Sequence, residues 1–192
     1  MPRRAKLRPD EPGRERVLEA GLELFGERGY HAASIAEIGE RAGIAKSVLY
    51  HHFGSKAGLF EAIAETQTRD LLSHVASALP PDPSEPRLRA GLNAYLGFLA
   101  ERPAAWRLLL RDPPADAALI SVHERLAAER ERALGELLAG SEKLRDQGAA
   151  VGLTATAIRT FAAWWYEHRE VPQADVIDAI MNVIRAGARV VH

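Results

Sequence analysis

The side chains with the clearest chemical potential in this 192-residue chain are clustered between residues 46 and 56. If residues 46–52 form a helix, Lys46 can donate hydrogen bonds to O6 and N7 of guanine, and Ser47 can bond to most bases. Val48 would offer methyl groups that pack on the methyl group of thymine. The major groove of DNA admits one α-helix, and a segment of this length makes about two helical turns. The residue types and their spacing therefore predict a helix that reads base edges.

The histidines and acidic residues do not form a recognisable metal or catalytic site. His51 and His52 are adjacent, so on a helix they project about 100° apart and cannot chelate one ion together. His123-Glu124 resembles the start of a zinc-protease motif, but Ala127 stands where the second histidine is required. The chain has no cysteine, which excludes disulfides, zinc–thiolate sites, iron–sulfur clusters and thiol catalysis. We therefore expect no metal, no cofactor and no enzyme activity.

Three helices are predicted around the candidate base-reading segment. Apolar residues recur at helical spacing from Gly13 to Gly29, and we expect Gly29 to close this first helix in a left-handed conformation. Ser34 can cap a second helix, with Glu37 completing a capping box, and Gly43 ends it. The third helix follows directly. Two short helices joined across a glycine turn, after a longer one, form a helix-turn-helix pattern.

The rest of the chain also has helical periodicity, and no segment alternates with the period of two that is typical of strands. Ser55 can cap a long fourth helix that runs to about Leu79, and the proline-rich segment Pro80–Pro86 is expected to be a loop. A second loop is predicted at Gly140–Gly152. The remaining helices are predicted at Pro86–Glu101, Pro103–Arg111, Ala115–Leu138, Thr154–Arg169 and Gln173–Val191.

These elements predict an all-α fold of about nine helices. A flexible basic arm would cover residues 1–12, and an N-terminal three-helix helix-turn-helix domain would cover residues 13–54. A C-terminal helical domain that binds a ligand and dimerises would cover residues 55–192.

The overall charge of −1 argues against a uniformly basic nucleic-acid coat, but the charge is unevenly distributed. Residues 1–60 contain ten Lys and Arg against eight Asp and Glu, whereas residues 61–192 contain fifteen against eighteen. The arm carries four cations before its first acid, namely Arg3, Arg4, Lys6 and Arg8. It can contact phosphates or the minor groove, or it can be a solubilising tail.

The N-terminus lacks the apolar segment of a secretory signal. No apolar stretch approaches the ~20 residues that span a bilayer. We therefore expect a cytoplasmic protein with no membrane partner.

The segment Ser34–Phe60, SIAEIGERAGIAKSVLYHHFGSKAGLF, resembles the DNA-binding signature of TetR-family transcriptional regulators. The resemblance covers about residues 14–60. It departs from the family at Ala45, where a small polar cap is frequent, and at Ser47, where glycine or a similar small residue is frequent. The matching residues are Ile35-Ala36, Ala42-Gly43-Ile44, Leu49-Tyr50, His52-Phe53, Lys56 and Leu59-Phe60, with Ala20–Gly29 fitting the family's first helix.

The resemblance implies that the partner is double-stranded DNA. Tyr50, His52 and Lys56 match family positions that contact the phosphate backbone, as does Ser34, and we include His51 with them. Hydroxyl, imidazole and ammonium groups are all competent phosphate donors. Taken singly, Tyr50 could instead pack on the first helix and Lys56 could be a solvated lysine, so it is the combination that favours DNA.

The last two predicted helices are apolar on more than one face, which indicates burial on two sides. A second copy of the chain is the expected neighbour, as the family resemblance also implies, and a two-fold pairing would build a four-helix interface. The alternative is a monomer with a buried C-terminal helix. The interface residues we predict are Ile158, Trp165, Ile177, Ile180, Ile184 and Val191.

The resemblance also implies a small-molecule pocket in the C-terminal domain, although an apolar stripe is more often plain core. Trp106 and His123 stand out because a buried indole or imidazole needs a polar partner. The candidate pocket residues are Tyr95, Phe98, Leu99, Trp106, Leu109, Leu110, His123, Leu126 and Phe161.

Together these features predict a homodimeric repressor that a ligand releases from a near-palindromic operator. The long fourth helix, which links both domains, would transmit the signal. An architectural DNA-binding protein without a ligand is the first alternative. An interaction module that has lost DNA binding is the second, and an enzyme would need a polar cluster inside the pocket.

Overall fold

A computed structural model describes residues 12–81, 85–110, 117–139 and 148–190. These residues form nine α-helices and no strand, which confirms the predicted all-α fold. No helix in these ranges is long and apolar enough to cross a membrane. The helices are α1 Pro12–Ala32, α2 Ile35–Ala42, α3 Lys46–Phe53, α4 Lys56–Ser77, α5 Glu85–Glu101, α6 Pro103–Leu110, α7 Ala117–Ala139, α8 Gly148–Glu167 and α9 Gln173–Val190.

Gly29 differs from the prediction. Its backbone has φ 76° and ψ 167°, which is not the left-handed helical conformation of a cap, and α1 resumes after it to end at Ala32. This region of backbone space is open almost only to glycine. Gly29 therefore redirects α1 instead of closing it.

The predicted loop at Gly140–Gly152 is wrong in its second half, because α8 begins at Gly148. The glycines at 148 and 152 suggested a loop, but a glycine costs a helix only about 1 kcal/mol relative to alanine, and Ala, Val and Leu lie between and after them. The first half of that loop, most of the basic arm and Val191 lie outside the described residues. Pro12, which we assigned to the arm, is the first residue of α1.

The described residues divide into two compact units whose limits differ from the predicted domain boundary at residue 54. The first unit contains residues 12–68, 103–110 and 117–124, and the second contains the other described residues. Both α4 and α7 contribute residues to the two units.

The first unit packs α1 against α2 and α6. Close approach depends on two glycines of α1. A Cβ on Gly21 would lie 2.5 Å from Cδ1 of Ile63, and a Cβ on Gly26 would lie 3.0 Å from the backbone of Ala104. The Arg107 guanidinium also donates to the Gly26 carbonyl at 3.2 Å. The fully covered core residues here include Leu24, Ile38, Leu49, Leu59 and Ile63.

The second unit packs α9 against α5 and α8. The Trp165 indole donates to the Val171 carbonyl at 2.8 Å, and Gln173 donates to the Asn93 side chain at 2.9 Å. Arg89 and Asp178 form an exposed ion pair between α5 and α9 at 2.6 Å.

Five of the six residues predicted for a dimer interface are core residues of this second unit, and Val191 lies outside the described residues. Each of the five is at most 8% exposed within a single protomer. A side chain that its own protomer already covers has almost no surface left to bury against a second copy. The interface assignment is therefore corrected for Ile158, Trp165, Ile177, Ile180 and Ile184.

Candidate nucleic-acid interface

The turn between α2 and α3 is fixed by its own backbone. Gly43 adopts the left-handed conformation at φ 65°, and the Ile44 N–H donates to the Gly39 carbonyl at 2.8 Å. A Cβ on Gly39 would lie only 2.6 Å from the Ile44 carbonyl oxygen. Glycine at position 39 is thus what allows the turn to close on α2, and this closure sets the direction in which α3 leaves.

The start of α2 has the predicted cap. The Ser34 hydroxyl oxygen accepts the Glu37 N–H at 3.1 Å. Hydrogen bonds from Ser34 and then from Arg28 hold the pKa of the Glu37 carboxyl below its usual value. Because a hydroxyl has only one hydrogen to donate, Ser34 can donate to a phosphate only in exchange for its bond to the Glu37 carboxylate. At α3, Ala45 is the capping residue and its side chain makes no capping bond, as its residue type requires.

Helix α3 has one buried side and one open side. Leu49 is 1% exposed and anchors the helix in the first unit. Lys46 and Ser47 are exposed, Val48 is half-buried, and Tyr50 is 45% exposed. The Lys46 ammonium lies 5.6 Å from the centre of the Tyr50 ring. The three residues predicted to read bases thus sit at the beginning of a helix whose other side is fixed.

The two adjacent histidines lie at the end of α3, with His51 exposed and His52 half-buried. Their rings are in edge contact, with centroids 5.0 Å apart and planes at 88°. No group of three His, Asp or Glu side chains capable of holding a metal occurs in the described ranges. Both imidazoles remain candidates for phosphate contacts.

Lys56 has contacts that the sequence did not reveal. Its ammonium donates to the His31 carbonyl at 3.1 Å and lies 4.6 Å above the Tyr30 ring. Burial lowers the pKa of the Lys56 ammonium. The preceding Ser55 caps α4 as predicted, since its hydroxyl accepts the Gly58 N–H at 3.0 Å. The family resemblance predicted a role for Lys56, but nothing in the sequence indicated that its ammonium lies against the end of α1.

Ion pairs between α1 and α2 were also missed. Arg41 binds both carboxylate oxygens of Glu27, at 2.9 and 3.3 Å, and Arg28 binds Glu37 at 2.7 Å. The hydrogen bond from Arg41 lowers the pKa of Glu27, and the same bond raises the pKa of Arg41. The sequence does show that α1 and α2 are rich in charged residues. Which of these residues pair depends on the crossing angle of the two helices, which the sequence does not show.

The candidate pocket residues are divided between the two units. Trp106, Leu109, Leu110 and His123 belong to the first, and Tyr95, Phe98, Leu99, Leu126 and Phe161 belong to the second. Phe98 and Leu99 are buried, and Phe98 contacts His74 and the Arg102 guanidinium. Burial raises the pKa of the Tyr95 phenol to about 12, against an opposing effect of the charges on Arg130 and Arg159.

The first unit also has a cavity of about 450 Å³. Aromatic side chains of Phe25, Tyr30 and Phe60 line it, together with Arg107 and His123. The His123 ring stacks on Phe60 with centroids 6.3 Å apart. His123 is therefore the predicted pocket residue that the structure places at this cavity.

Known proteins share both the sequence and the fold. The family model described as bacterial regulatory proteins, tetR family, matches residues 17–63, which contain α2, α3 and the beginning of α4. The HTH-type transcriptional activator FasR of Mycolicibacterium smegmatis is 30% identical over 190 residues, which cover 96% of this chain and 87% of FasR. The chain belongs to the TetR family of transcriptional regulators. It is accordingly a DNA-binding regulator and not an enzyme.

Other TetR-family relatives match a shorter segment or share the fold alone. The regulator BetI of Escherichia coli is 39% identical over 80 residues, which cover 40% of this chain and 41% of BetI. The fatty acid degradation regulator FadR of Bacillus halodurans has a TM-score of 0.79 at 17% identity, over 92% of this chain and 96% of that structure. A TetR-like regulator of Rhodococcus sp. RHA1 has a TM-score of 0.75 at 25% identity, over 94% and 98% of the two chains.

Proposed function

We propose that the protein is a homodimeric repressor that binds a near-palindromic operator through α3 and leaves it when a small, largely apolar ligand binds. The observation that carries the DNA-binding part is the two-sided character of α3. Leu49 fastens the helix, while Lys46 and Ser47 project from its exposed side. A helix anchored in this way can enter a major groove without disturbing its own core. Ser34, Tyr50, His51, His52 and Lys56 are the proposed phosphate contacts.

A second copy would pair through the outer sides of α8 and α9. Trp164 is 44% exposed on α8 and Val183 is 46% exposed on α9. Contiguous exposed apolar patches mark interaction surfaces, and these two are the exposed large apolar side chains that the described parts of α8 and α9 would contribute to one. Trp164 is held in place by stacking on His168, with centroids 4.4 Å apart and planes at 13°. We therefore assign Trp164 and Val183 to the proposed interface in place of the five core residues.

Two-fold pairing has a direct consequence for the DNA. Two α3 helices related by a two-fold axis meet two half-sites in inverted orientation, separated by about 34–36 Å or a multiple of it. Linking the two contacts in one molecule raises the affinity well above that of one helix. This is why we expect an inverted repeat as the operator.

The proposed ligand site belongs to the second unit and uses Tyr95 with Phe98, Leu99, Leu126 and Phe161. Their apolar surfaces suit a largely apolar ligand. The Tyr95 phenol is protonated at neutral pH, as any phenol with a pKa of 10 or more is, so it can donate a hydrogen bond to a polar group of that ligand. Release from DNA requires that the ligand bind more tightly to the state that does not fit the operator.

An activator is the second candidate, because FasR, a relative aligned over nearly the whole chain, is named an activator. A repressor and an activator differ in where the operator lies relative to the promoter and in whether the bound regulator hinders or helps the polymerase. Transcription from a reporter promoter carrying the operator, with and without the regulator, distinguishes them. Expression that rises when the regulator is removed supports a repressor, and expression that falls supports an activator.

Selection of DNA from a pool of random duplexes tests the proposed function. We expect the wild-type protein to enrich an inverted repeat. A Lys46→Glu variant should enrich nothing, because a carboxylate at this position repels phosphates and cannot donate to guanine. Arg132→Glu, an exposed change of the same charge on α7, is the matched control and should leave the enriched repeat unaltered. Failure of the wild type to enrich any sequence, or enrichment of single half-sites, contradicts the proposal.

A further inference from the structure

Tyr30 begins the short segment of α1 that follows the turn at Gly29. The positive φ of 76° at Gly29 redirects the chain, and the last turn of α1 then runs from Tyr30 to Ala32. No atom lies within 4 Å of the position a Cβ on Gly29 would take, so the backbone conformation and not crowding requires glycine there. The turn directs the Tyr30 ring back toward the aromatic side chains of α1 and α4.

Two buried aromatic residues fix the Tyr30 ring. It stacks on Phe25 with centroids 5.8 Å apart, and it meets Phe60 edge-on at 5.4 Å. Phe25 and Phe60 are 4% and 3% exposed, and they contact each other at 5.4 Å. Because its neighbours are core residues, the half-buried Tyr30 ring has a defined orientation.

The face of this ring and the C-terminal end of α1 together bind the ammonium of Lys56. The ammonium lies 4.6 Å above the ring centre and donates to the His31 carbonyl at 3.1 Å. Both groups attract a cation, since the ring face is negative and the C-terminal end of a helix carries partial negative charge. An ammonium has three donors, so two remain after the bond to His31.

We propose that Tyr30 is a positioning residue for DNA binding, which holds the Lys56 ammonium where its two remaining donors meet a backbone phosphate. The inference rests on the proposed function, in which Lys56 is a phosphate contact. A free lysine side chain samples many rotamers and loses them on binding. The ring and the carbonyl restrict Lys56 before DNA arrives, so less ordering is needed in the complex.

The opposite role is that Lys56 only fastens α4 to α1 and never meets DNA. The two roles differ in how binding depends on salt. Each phosphate contact contributes about 0.9 to the slope of log affinity against log salt, which corresponds to about eightfold in affinity between 1 M and 0.1 M salt. A lysine that fastens two helices contributes nothing to that slope.

The experiment measures fluorescence anisotropy of a labelled mixed-sequence duplex at several NaCl concentrations. We expect Lys56→Met to reduce the magnitude of the slope by about one unit per subunit. Tyr30→Leu should reduce it in the same direction by up to one unit per subunit, with a loss of up to about eightfold in affinity per subunit at 0.1 M salt. Tyr30→Phe keeps the ring face and should retain the wild-type slope.

A double-mutant comparison makes the assignment specific. Tyr30→Leu should have no further effect on the slope in a Lys56→Met background, but it should keep its full effect in a Lys46→Met background. Tyr166→Leu, a tyrosine of α8 in the other unit, is the matched control and should leave the slope unchanged. Circular dichroism confirms that each variant is folded. If Tyr30→Leu does not fold, Tyr30→Met provides the comparison, because its flexible side chain fills the gap without offering a ring face.

The outcomes separate this inference from the proposed function. A wild-type protein without salt-dependent DNA binding contradicts the proposed function itself. If the wild-type protein binds DNA but Tyr30→Leu leaves the salt slope unchanged, the role of Tyr30 is overturned and the proposed function stands. The same conclusion follows if Tyr30→Leu reduces the slope by the same amount in the Lys56→Met background.

Discussion

Lys46 and Lys56 are cations of the same type in very different surroundings. Lys46 is exposed at the start of α3, with its ammonium 5.6 Å above the centre of the Tyr50 ring. Lys56 is partly buried and bound to the last turn of α1. We infer that the two lysines have different roles: Lys46 reads bases, and Lys56 binds a backbone phosphate. The sequence pattern and the family resemblance already assigned these two roles, and the contacts of the two ammonium groups give a structural reason for the difference.

Gly39 provides a stability test at the level of one residue. In Gly39→Ala the new methyl group would lie 2.6 Å from the Ile44 carbonyl oxygen, so the turn before α3 has to shift. We expect a loss of roughly 1–3 kcal/mol in the free energy of unfolding, as for other overpacked sites. Urea denaturation followed by circular dichroism measures it.

Gly97→Ala is the matched control, because nothing lies within 4 Å of the position its Cβ would take in the middle of α5. Alanine is favoured over glycine in helices, so this change should stabilise the protein by about 0.5–1 kcal/mol. Equal effects of the two substitutions would show that the close approach at Gly39 is not what limits the turn.

At the level of elements, the sequence predicted what depends on local spacing. The caps at Ser34 and Ser55 and the turn at Gly43 follow from residues only three or four positions apart. The redirection of α1 at Gly29 did not follow, because glycine permits several conformations and the sequence does not say which one is used. Contacts such as Arg41 with Glu27 join residues 14 positions apart and depend on how α1 and α2 cross.

The ion pairs between α1 and α2 predict a pH dependence of stability. The pKa values of Glu27 and Glu37 are held below their usual value in the folded protein. Groups of this kind stabilise the fold above the unfolded pKa, and that contribution is lost as the pH falls through the lower folded pKa. We therefore expect stability to decline as the pH falls below about 4.5.

Urea midpoints measured between pH 7 and pH 3 test this dependence. The double variant Glu27→Gln, Glu37→Gln should have a smaller decline than the wild type, because its amides do not titrate. Both carboxylates are exposed, so added salt should also weaken the difference. Identical pH profiles for the two proteins would contradict a role for these pairs.

At the level of the whole molecule, the sequence predicted apolar surfaces on α8 and α9 but not which neighbour covers them. Ile180 is fully buried and Ile184 nearly so, by residues of the same protomer. A wide apolar face indicates that a helix is covered on two sides. It does not show whether the covering residues belong to the same protomer or to a second copy. The exposed Trp164 and Val183 became candidates only when the burial of each residue was known.

Two substitutions separate the core from the proposed dimer interface. Ile180→Asp places a charge at a position that is 0% exposed and should unfold the protein or destabilise it by several kcal/mol. Trp164→Asp should leave the helices intact, because that side chain is 44% exposed, and should dissociate the dimer. Circular dichroism measures whether each variant is folded, and sedimentation velocity measures whether it is a dimer. A Trp164→Asp variant that remains a dimer contradicts the proposed interface.

The central claim is that the exposed beginning of α3 reads base edges in each half of an inverted repeat. Comparison of the duplexes selected by the wild type and by Lys46→Ala tests it most directly. We expect Lys46→Ala to lose a guanine preference at one symmetric pair of positions, with discrimination reduced by about 1–3 kcal/mol, while the other positions keep their preferences. The same sequence preferences in both selections, at every position, would contradict it.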